Sequence, residues 1–418
     1  MNTQVEQAAI YQKIWDVVVV GGGMVGAATA LGLAKNGFSV LLLERQAPNL
    51  DWNELTPMGI RVSALTRASE NILRNLGGWD FILQQRHHPF TAMRVWDEFT
   101  QAEVAFDAKE IGEANLGYIV ENDLIQAALW SEFKQYDNLS VLLGERFDGL
   151  ELPEFAGELT SLSMANGASL QTKLVIAADG GRSQIRQMAN IGLNRQDYDQ
   201  CAVVGTVKTE LSHENCCWQR YTENGPFAFL SMGANYSSIA WYLPIEKQQW
   251  ALSLTDQEFA HEIAKASDYR LGQIIEVGQR GAFPLIRQHA NHYVKNGLAL
   301  IGDAAHTIHP QAGQGVNLGL LDAAAMVDVL ANAKQAGKDF AKLSNLRKYE
   351  RWRRGDNAIV QLSMEWFAWF YQNQLVKNGV RQTVLPIANQ LKPAKNWLME
   401  QALNGREALP SLAQIYAI

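Results

Sequence analysis

Residues 16–44 read DVVVVGGGMVGAATALGLAKNGFSVLLLE, and this stretch decides the fold. The valines Val17 to Val20 are strand formers, the three glycines that follow weaken any helix at that point, and Met24 to Asn36 read as an apolar helix. Gly37 stops the helix, and Ser39 to Leu43 form a second strand that ends at Glu44. The result is a βαβ unit carrying G-x-G-x-x-G at Gly21, Gly23 and Gly26. Gly21 permits a tight turn, Gly23 lets the backbone approach a pyrophosphate, and Gly26 lets helix and strand pack closely. The helix N-terminus offers free N–H groups and the positive end of its dipole to phosphates, and Glu44 stands where a carboxylate accepts ribose hydroxyls. The stretch predicts a dinucleotide site. Its eighteen uncharged residues, 17–34, also approach the length of a membrane span. The strand-turn-helix pattern, with Glu6, Lys13 and Asp16 before it in place of a short basic start, argues against both a span and a signal peptide.

Two further strand-end signals lie far downstream. LVIAADGGRSQIR, residues 174–186, is an apolar strand followed by Asp179-Gly180, with Ser183 and Arg186 entering a helix. LALIGDAAHTIHPQAGQGVNLG, residues 298–319, is a strand ending at Gly302-Asp303, then a loop and a helix from about Gly315. A nicotinamide domain needs only the first signal, whereas three sites spread over about 300 residues suit a longer cofactor lying extended across a domain. Asp303 is placed to accept a ribityl hydroxyl. The loop Pro310 to Gly315, with the helix start at Gly313, Gly315, Val316 and Asn317, is placed to hold the polar edge of an isoalloxazine ring.

Composition bounds the alternatives. The 418 residues allow two or three units, and a 47% hydrophobic share is enough to bury a sizeable core. A formal net charge of −7 leaves no basic surplus for nucleic acid. Cys201, Cys216 and Cys217 do not make a disulfide framework and fit a reducing cytoplasm. His306 and His309 are spaced to share a metal ion, yet no CxxC pair or HExxH supplies further ligands, so no metal is expected.

The three motifs together resemble those of the single-component, FAD-dependent aromatic hydroxylases of the para-hydroxybenzoate hydroxylase type, over most of the chain. Within that group, RVSALTRASENILRNLGGW, LGYIVENDLIQAALW, GAFPLIRQHA and the Gly302-Asp303 stretch resemble the ubiquinone-biosynthesis ring hydroxylases. The region around Arg61 and Glu121-Asn122 looks like the enzymes acting at C5 or C6 of the ring rather than C1. WQRYTENGPFAFL leans to C6 and LRKYERWRR to C5, so the ring carbon stays open.

The resemblance implies an α/β protein with a Rossmann-like FAD-binding domain, an inserted antiparallel sheet over the substrate, and C-terminal helices. The corresponding boundaries are 1–190 with 281–345 for FAD, 191–280 for the insert and 346–418 for the helical region. Cys201–Lys208, Pro226–Met232, Ser237–Leu243 and Trp250–Leu254 are the expected strands of the insert. It further implies that NAD(P)H binds transiently, reduces FAD, and that a C4a-hydroperoxide hydroxylates a polyprenylated phenol or quinol with O2. Pro310 corresponds to the proline beside the flavin, Arg61 to an arginine reaching the FAD phosphates, Asn122 and Gln126 to flavin contacts, and Arg45 to a neighbour of the adenosine phosphate or NAD(P)H. In the family the Gly302-Asp303 loop touches flavin, with His306 hydrogen-bonding locally.

Two alternatives remain: a hydroxylase of another aromatic compound, and a non-catalytic flavoprotein subunit of a biosynthetic complex. A flavin halogenase lacks support, since Trp366 and Trp369 are not followed by the Ile-Pro of WxWxIP. A bilayer-soluble substrate implies work at the inner face of the cytoplasmic membrane or beside other ubiquinone-biosynthesis proteins. Residues 364–399, with Trp366, Phe367, Trp369, Phe370 and Trp397 beside Lys377, Arg381, Lys392 and Lys395, are the candidate contact, the alternative being that these aromatics pack the C-terminal helices on the FAD domain.

Overall fold

Five parallel strands form the centre of the molecule. Their order across the sheet is Leu298–Leu300, Ser169–Ala177, Ile14–Val20, Val40–Glu44 and Leu139–Leu143. This computed structural model describes residues 9–53, 55–98, 103–155, 157–307, 314–372 and 409–415, without the side chains of 314 and 359–372. Val17 to Val19 and Leu41 to Leu42 are fully buried, as strands covered on both faces require. The helix Met24–Lys35 lies over the sheet and against the long helix Gln314–Gln335. Gly32 makes that crossing close, because a Cβ there would stand 2.6 Å from Val327 Cγ2. Among the described residues Gly315–Gln335 is the one segment long and apolar enough to cross a membrane, but 72% of that window is buried inside the protein. It is a core helix.

A second sheet of eight strands is mixed and mostly antiparallel. Its order is His306–Thr307, Ile274–Ala290, Leu193–Thr209, Tyr236–Pro244, Gly225–Ser231, Cys216–Thr222, Ala92–Asp97 and Glu103–Asp107. Three expected strands of the insert lie in it. Trp250–Leu254 does not: the helix Gln248–Ser253 takes most of that run and buries Ala251. The alternation of Trp250, Leu252 and Leu254 has a period of two, but over five residues that pattern does not separate strand from helix. The sheet also recruits Ala92–Asp97 and Glu103–Asp107, since Ala92–Asp97 pairs in parallel with Cys216–Thr222 and antiparallel with Glu103–Asp107.

The two faces of this sheet differ. Cys201, Val203, Phe227, Phe229, Ile239 and Trp241 pack under the helix Asp256–Ala266 through Phe259 and Ile263. The opposite face carries Ala202, Tyr242 and Leu285 with Val204 and Ala240 against them. Directly paired residues share a face, so Phe283, opposite Ala202, belongs to this second side.

Candidate active site

The strand order brings the three motifs together. Gly302-Asp303, Asp179-Gly180, Gly21 and Glu44 follow the carboxyl ends of four adjacent parallel strands, so residues nearly 300 apart in sequence form one row. At about 4.8 Å per strand, the row is roughly 14 Å wide. The central strand Ile14–Val20 has the next strand in sequence on one side and Ser169–Ala177 on the other. That reversal is where open α/β sheets bind ligands.

At one end of the row the glycines build the turn. Gly21 has φ +101°, and a Cβ on it would lie 2.4 Å from the Ala178 carbonyl oxygen. A Cβ on Gly26 would lie 1.8 Å from the Gly21 oxygen, so only hydrogen fits there. Gly23 is different: nothing stands within 4 Å of its Cβ position, which opens on the space before the helix N-terminus. Gly22 is held from both sides. Its N–H donates to Glu44 Oε2, while its carbonyl accepts from Gln126 Nε2 and Trp130 Nε1, both at 2.8 Å. The other oxygen of Glu44 accepts the Arg45 N–H at 2.6 Å, and the Arg45 side chain is exposed.

In the middle of the row, Gly180 has φ +80° and open space at its Cβ position. Asp179 Oδ2 accepts the Ile185 N–H at 3.2 Å, but its Oδ1 is buried with no hydrogen-bond partner. Burial pushes the Asp179 pKa up against the hydrogen bond from Ser183. An orphaned carboxylate oxygen at a strand end calls for a donor that the protein itself does not provide.

At the far end, Asp303 is exposed to solvent although Gly302 and Ala304 beside it are buried. Its carboxylate is nonetheless partly desolvated by the surrounding protein, which raises its pKa against the pull of His306 and Arg61. Arg61 lies over the Phe283 ring at 5.2 Å, linking this end of the row to the second sheet. The loop before Arg61 is fixed by Glu121, which is buried, accepts the Gly59 N–H at 2.6 Å and pairs with Arg86 at 2.8 Å.

Beneath Gly302 lies a buried ionic cluster. Asp322 accepts the Gly302 N–H at 3.1 Å, the His306 ring N–H at 2.5 Å and Arg353 Nε at 2.7 Å, and all three side chains are buried. Burial alone would raise the Asp322 pKa. Electrostatic attraction to His306 and Arg353 and the hydrogen bonds from them more than offset it and hold the group at about 2. The partner of His306 is therefore on a neighbouring helix, sixteen residues away, and not local. Among the described residues no three His, Cys, Asp or Glu side chains gather as metal ligands; His309 lies outside the described residues.

The remaining expected contacts are dispersed. Asn122 is buried and its Oδ1 accepts from Ser63 Oγ at 2.7 Å. The Asn317 side chain ties the long helix to Thr66, Ser69 and Ala64. Gln126 acts on the glycine turn, as Trp130 does. Gly315 has open space at its Cβ position, and Val316 beside it is half-buried. Pro310 and Gly313 lie outside the described residues, as do Lys377, Arg381, Lys392, Lys395 and Trp397. Trp366, Phe367, Trp369 and Phe370 fall on the helix Leu343–Gln372 beyond its described side chains.

A void at Gly23, an acceptor row from Glu44 to Asp303 and an orphaned Asp179 oxygen fit an extended dinucleotide. The family described as an FAD binding domain matches residues 15–358. The chain belongs to this FAD-binding family. Its relatives are monooxygenases. Escherichia coli (strain K12) 3-demethoxyubiquinol 3-hydroxylase is 40% identical over 360 residues, 86% of this chain and 90% of that protein. Rhodospirillum rubrum ubiquinone hydroxylase UbiL is 32% identical over 94% of this chain and 90% of its own length. The crystal structure of p-nitrophenol 4-monooxygenase PnpA from Pseudomonas putida DLL-E4 has the same fold, with a TM-score of 0.75 at 18% identity over 94% of this chain and 99% of that one. This family member is an FAD-dependent monooxygenase. Asp322, Arg353, Trp130 and Arg86 stand outside the residues that the sequence motifs point to. Asp322 carried one usable signal, a lone charge inside the apolar run VNLGLLDAAAMV, which burial obliges to be paired.

Proposed function

We propose that this enzyme hydroxylates the aromatic ring of a polyprenylated quinol or phenol in ubiquinone biosynthesis, the class of compound named for its E. coli relative. The observation that carries the reading is the meeting of two surfaces: Asp303 and Arg61 at the end of the cofactor row, and Phe283 on an apolar sheet face. Bound FAD supplies electrons from NAD(P)H and the activation of O2 for transfer to an electron-rich ring. The protein's part is to bind, orient and keep dry. Glu44 accepts ribose hydroxyls, the N–H groups at the start of the helix Met24–Lys35 meet the pyrophosphate, and Asp303 accepts a ribityl hydroxyl. The face bearing Ala202, Val204, Ala240, Tyr242 and Phe283 receives the ring and excludes the water that would divert oxygen to side products. In this reading residues 1–190 and 281–345 hold FAD, 191–280 cover the ring together with the strands of residues 92–107, and 346–418 form the helical region. A bilayer-soluble substrate places the enzyme at the inner face of the cytoplasmic membrane or in a complex with other ubiquinone-biosynthesis proteins, with residues 364–399 in contact.

The test uses the purified FAD-loaded enzyme, NAD(P)H and liposomes carrying a demethoxyubiquinol. The expected result is a quinol product heavier by one oxygen atom, labelled when the O2 is isotopically labelled, with the enzyme sedimenting with the liposomes. NAD(P)H oxidation without hydroxylated quinol, or hydroxylation of simple phenols alone, overturns the substrate assignment. Full turnover by enzyme that stays in the supernatant overturns the membrane contact.

A further inference from the structure

We propose that Arg186 and Asp322 are positioning residues for the cofactor: they grip opposite ends of the Gly302–Ala304 turn and thereby set where the Asp303 carboxylate stands. The proposal rests on the reading of Asp303 as a ligand of the ribityl chain.

The turn is three residues long and is held at both ends by buried charge. At its start the Gly302 N–H donates to Asp322 Oδ2. At its end the Ala304 carbonyl accepts from Arg186 Nη1 at 2.8 Å. Asp303, between the two grips, is the residue left facing solvent. The grips come from different directions, Asp322 from the helix Gln314–Gln335 and Arg186 from the short helix Gln184–Met188 after Asp179-Gly180. Neither is free to move. Asp322 is fully buried between His306 and Arg353, and Arg186 is 2% exposed.

Arg186 also couples two motifs. Its Nη2 donates to the Gly181 carbonyl at 2.8 Å, so one guanidinium spans the loop after Asp179 and the turn at Asp303. Gln288 repeats the link, donating from Nε2 to the same Gly181 carbonyl at 2.7 Å and to Thr307 Oγ1 at 3.1 Å. A planar fork suits this task, since two carbonyls must be met at fixed directions from two separate nitrogens, whereas an ammonium offers rotatable donors on a single nitrogen at the end of a flexible stem. Ligands that act by geometry depend on the shell behind them, where about 0.5 Å of play is enough to lose function.

FAD is titrated into apoprotein and followed by quenching of its fluorescence, with the visible circular dichroism of the bound flavin as a second readout and far-ultraviolet circular dichroism as the check on folding. Asp303→Ala should weaken binding roughly 10- to 100-fold, as loss of a charged hydrogen-bond partner does. Arg186→Lys, which keeps the buried charge, should weaken it several-fold and alter the flavin dichroism. The double variant Asp303→Ala/Arg186→Lys should bind no more weakly than Asp303→Ala alone, because Arg186 acts through Asp303. Asp322→Asn should behave like Arg186→Lys where it folds; where it does not, Arg186→Lys and the double variant decide. Losses that multiply in the double variant, or wild-type affinity and dichroism in Arg186→Lys, overturn the proposal. Wild-type FAD affinity in Asp303→Ala overturns the underlying reading of Asp303 and the proposal with it.

Discussion

The two ends of the cofactor row are built by opposite means. The glycine turn owes its shape to missing side chains: Gly21 and Gly26 lie where any Cβ meets backbone oxygen, 2.4 and 1.8 Å away. The Gly302–Ala304 turn owes its shape to buried charge brought from afar, Asp322 from 20 residues downstream and Arg186 from 118 upstream. One turn is steric, its glycines all within one βαβ unit; the other is ionic, held by charged side chains from two other helices. The steric contacts of the first should therefore be indifferent to pH, and the ionic contacts of the second should not.

The largest effect expected from breaking this contrast is at Asp322. Asp322→Asn leaves Arg353 buried with its main anionic partner neutralised, at a cost of about 3–5 kcal/mol. The sign of the pH dependence follows from the depressed pKa. The Asp322 contribution is fully present above the ordinary value of 3.8 and is lost as pH falls towards about 2. Urea unfolding at neutral pH should show the full deficit, and the gap between wild type and Asp322→Asn should narrow through that acid window. A gap that stays constant down to the bottom of the window contradicts the ionic account. Gly26→Ala should cost less, about 1–3 kcal/mol from overpacking against the Gly21 oxygen. Its deficit should be the same at both ends of the pH range, and a deficit that shrinks with acid would remove the distinction between the two turns.

The same contrast decides what could be read from the sequence. Gly21, Gly23, Gly26 and Glu44 stand within one βαβ unit, where a fixed spacing forces their arrangement, and the structure has the strand, turn, helix and strand in the expected places. Asp179-Gly180 and Gly302-Asp303 were visible as strand ends, but nothing local states that their strands are neighbours. The ionic cluster was not legible, because Asp322 and Arg353 are 31 residues apart on different helices. A lone buried charge announces that it needs a partner without naming one. The parallel pairing of Ala92–Asp97 with Cys216–Thr222 was hidden for the same reason, since such pairing across more than a hundred residues leaves no local pattern. Trp250–Leu254 failed differently, through a run too short for its period to mean anything.

The central claim, that the row of strand ends is an FAD site entered at the glycine turn, is tested most directly at Gly23. This residue has φ −64° and ψ −179°, extended backbone that any residue adopts, and its Cβ position meets nothing within 4 Å. Gly23→Val should therefore leave the apoprotein's melting temperature close to wild type while filling the path of the pyrophosphate. Titration of FAD into the purified apoprotein should show affinity reduced by about 100-fold or more, equivalent to roughly 2.7 kcal/mol. A folded Gly23→Val protein that binds FAD with wild-type affinity would contradict the account.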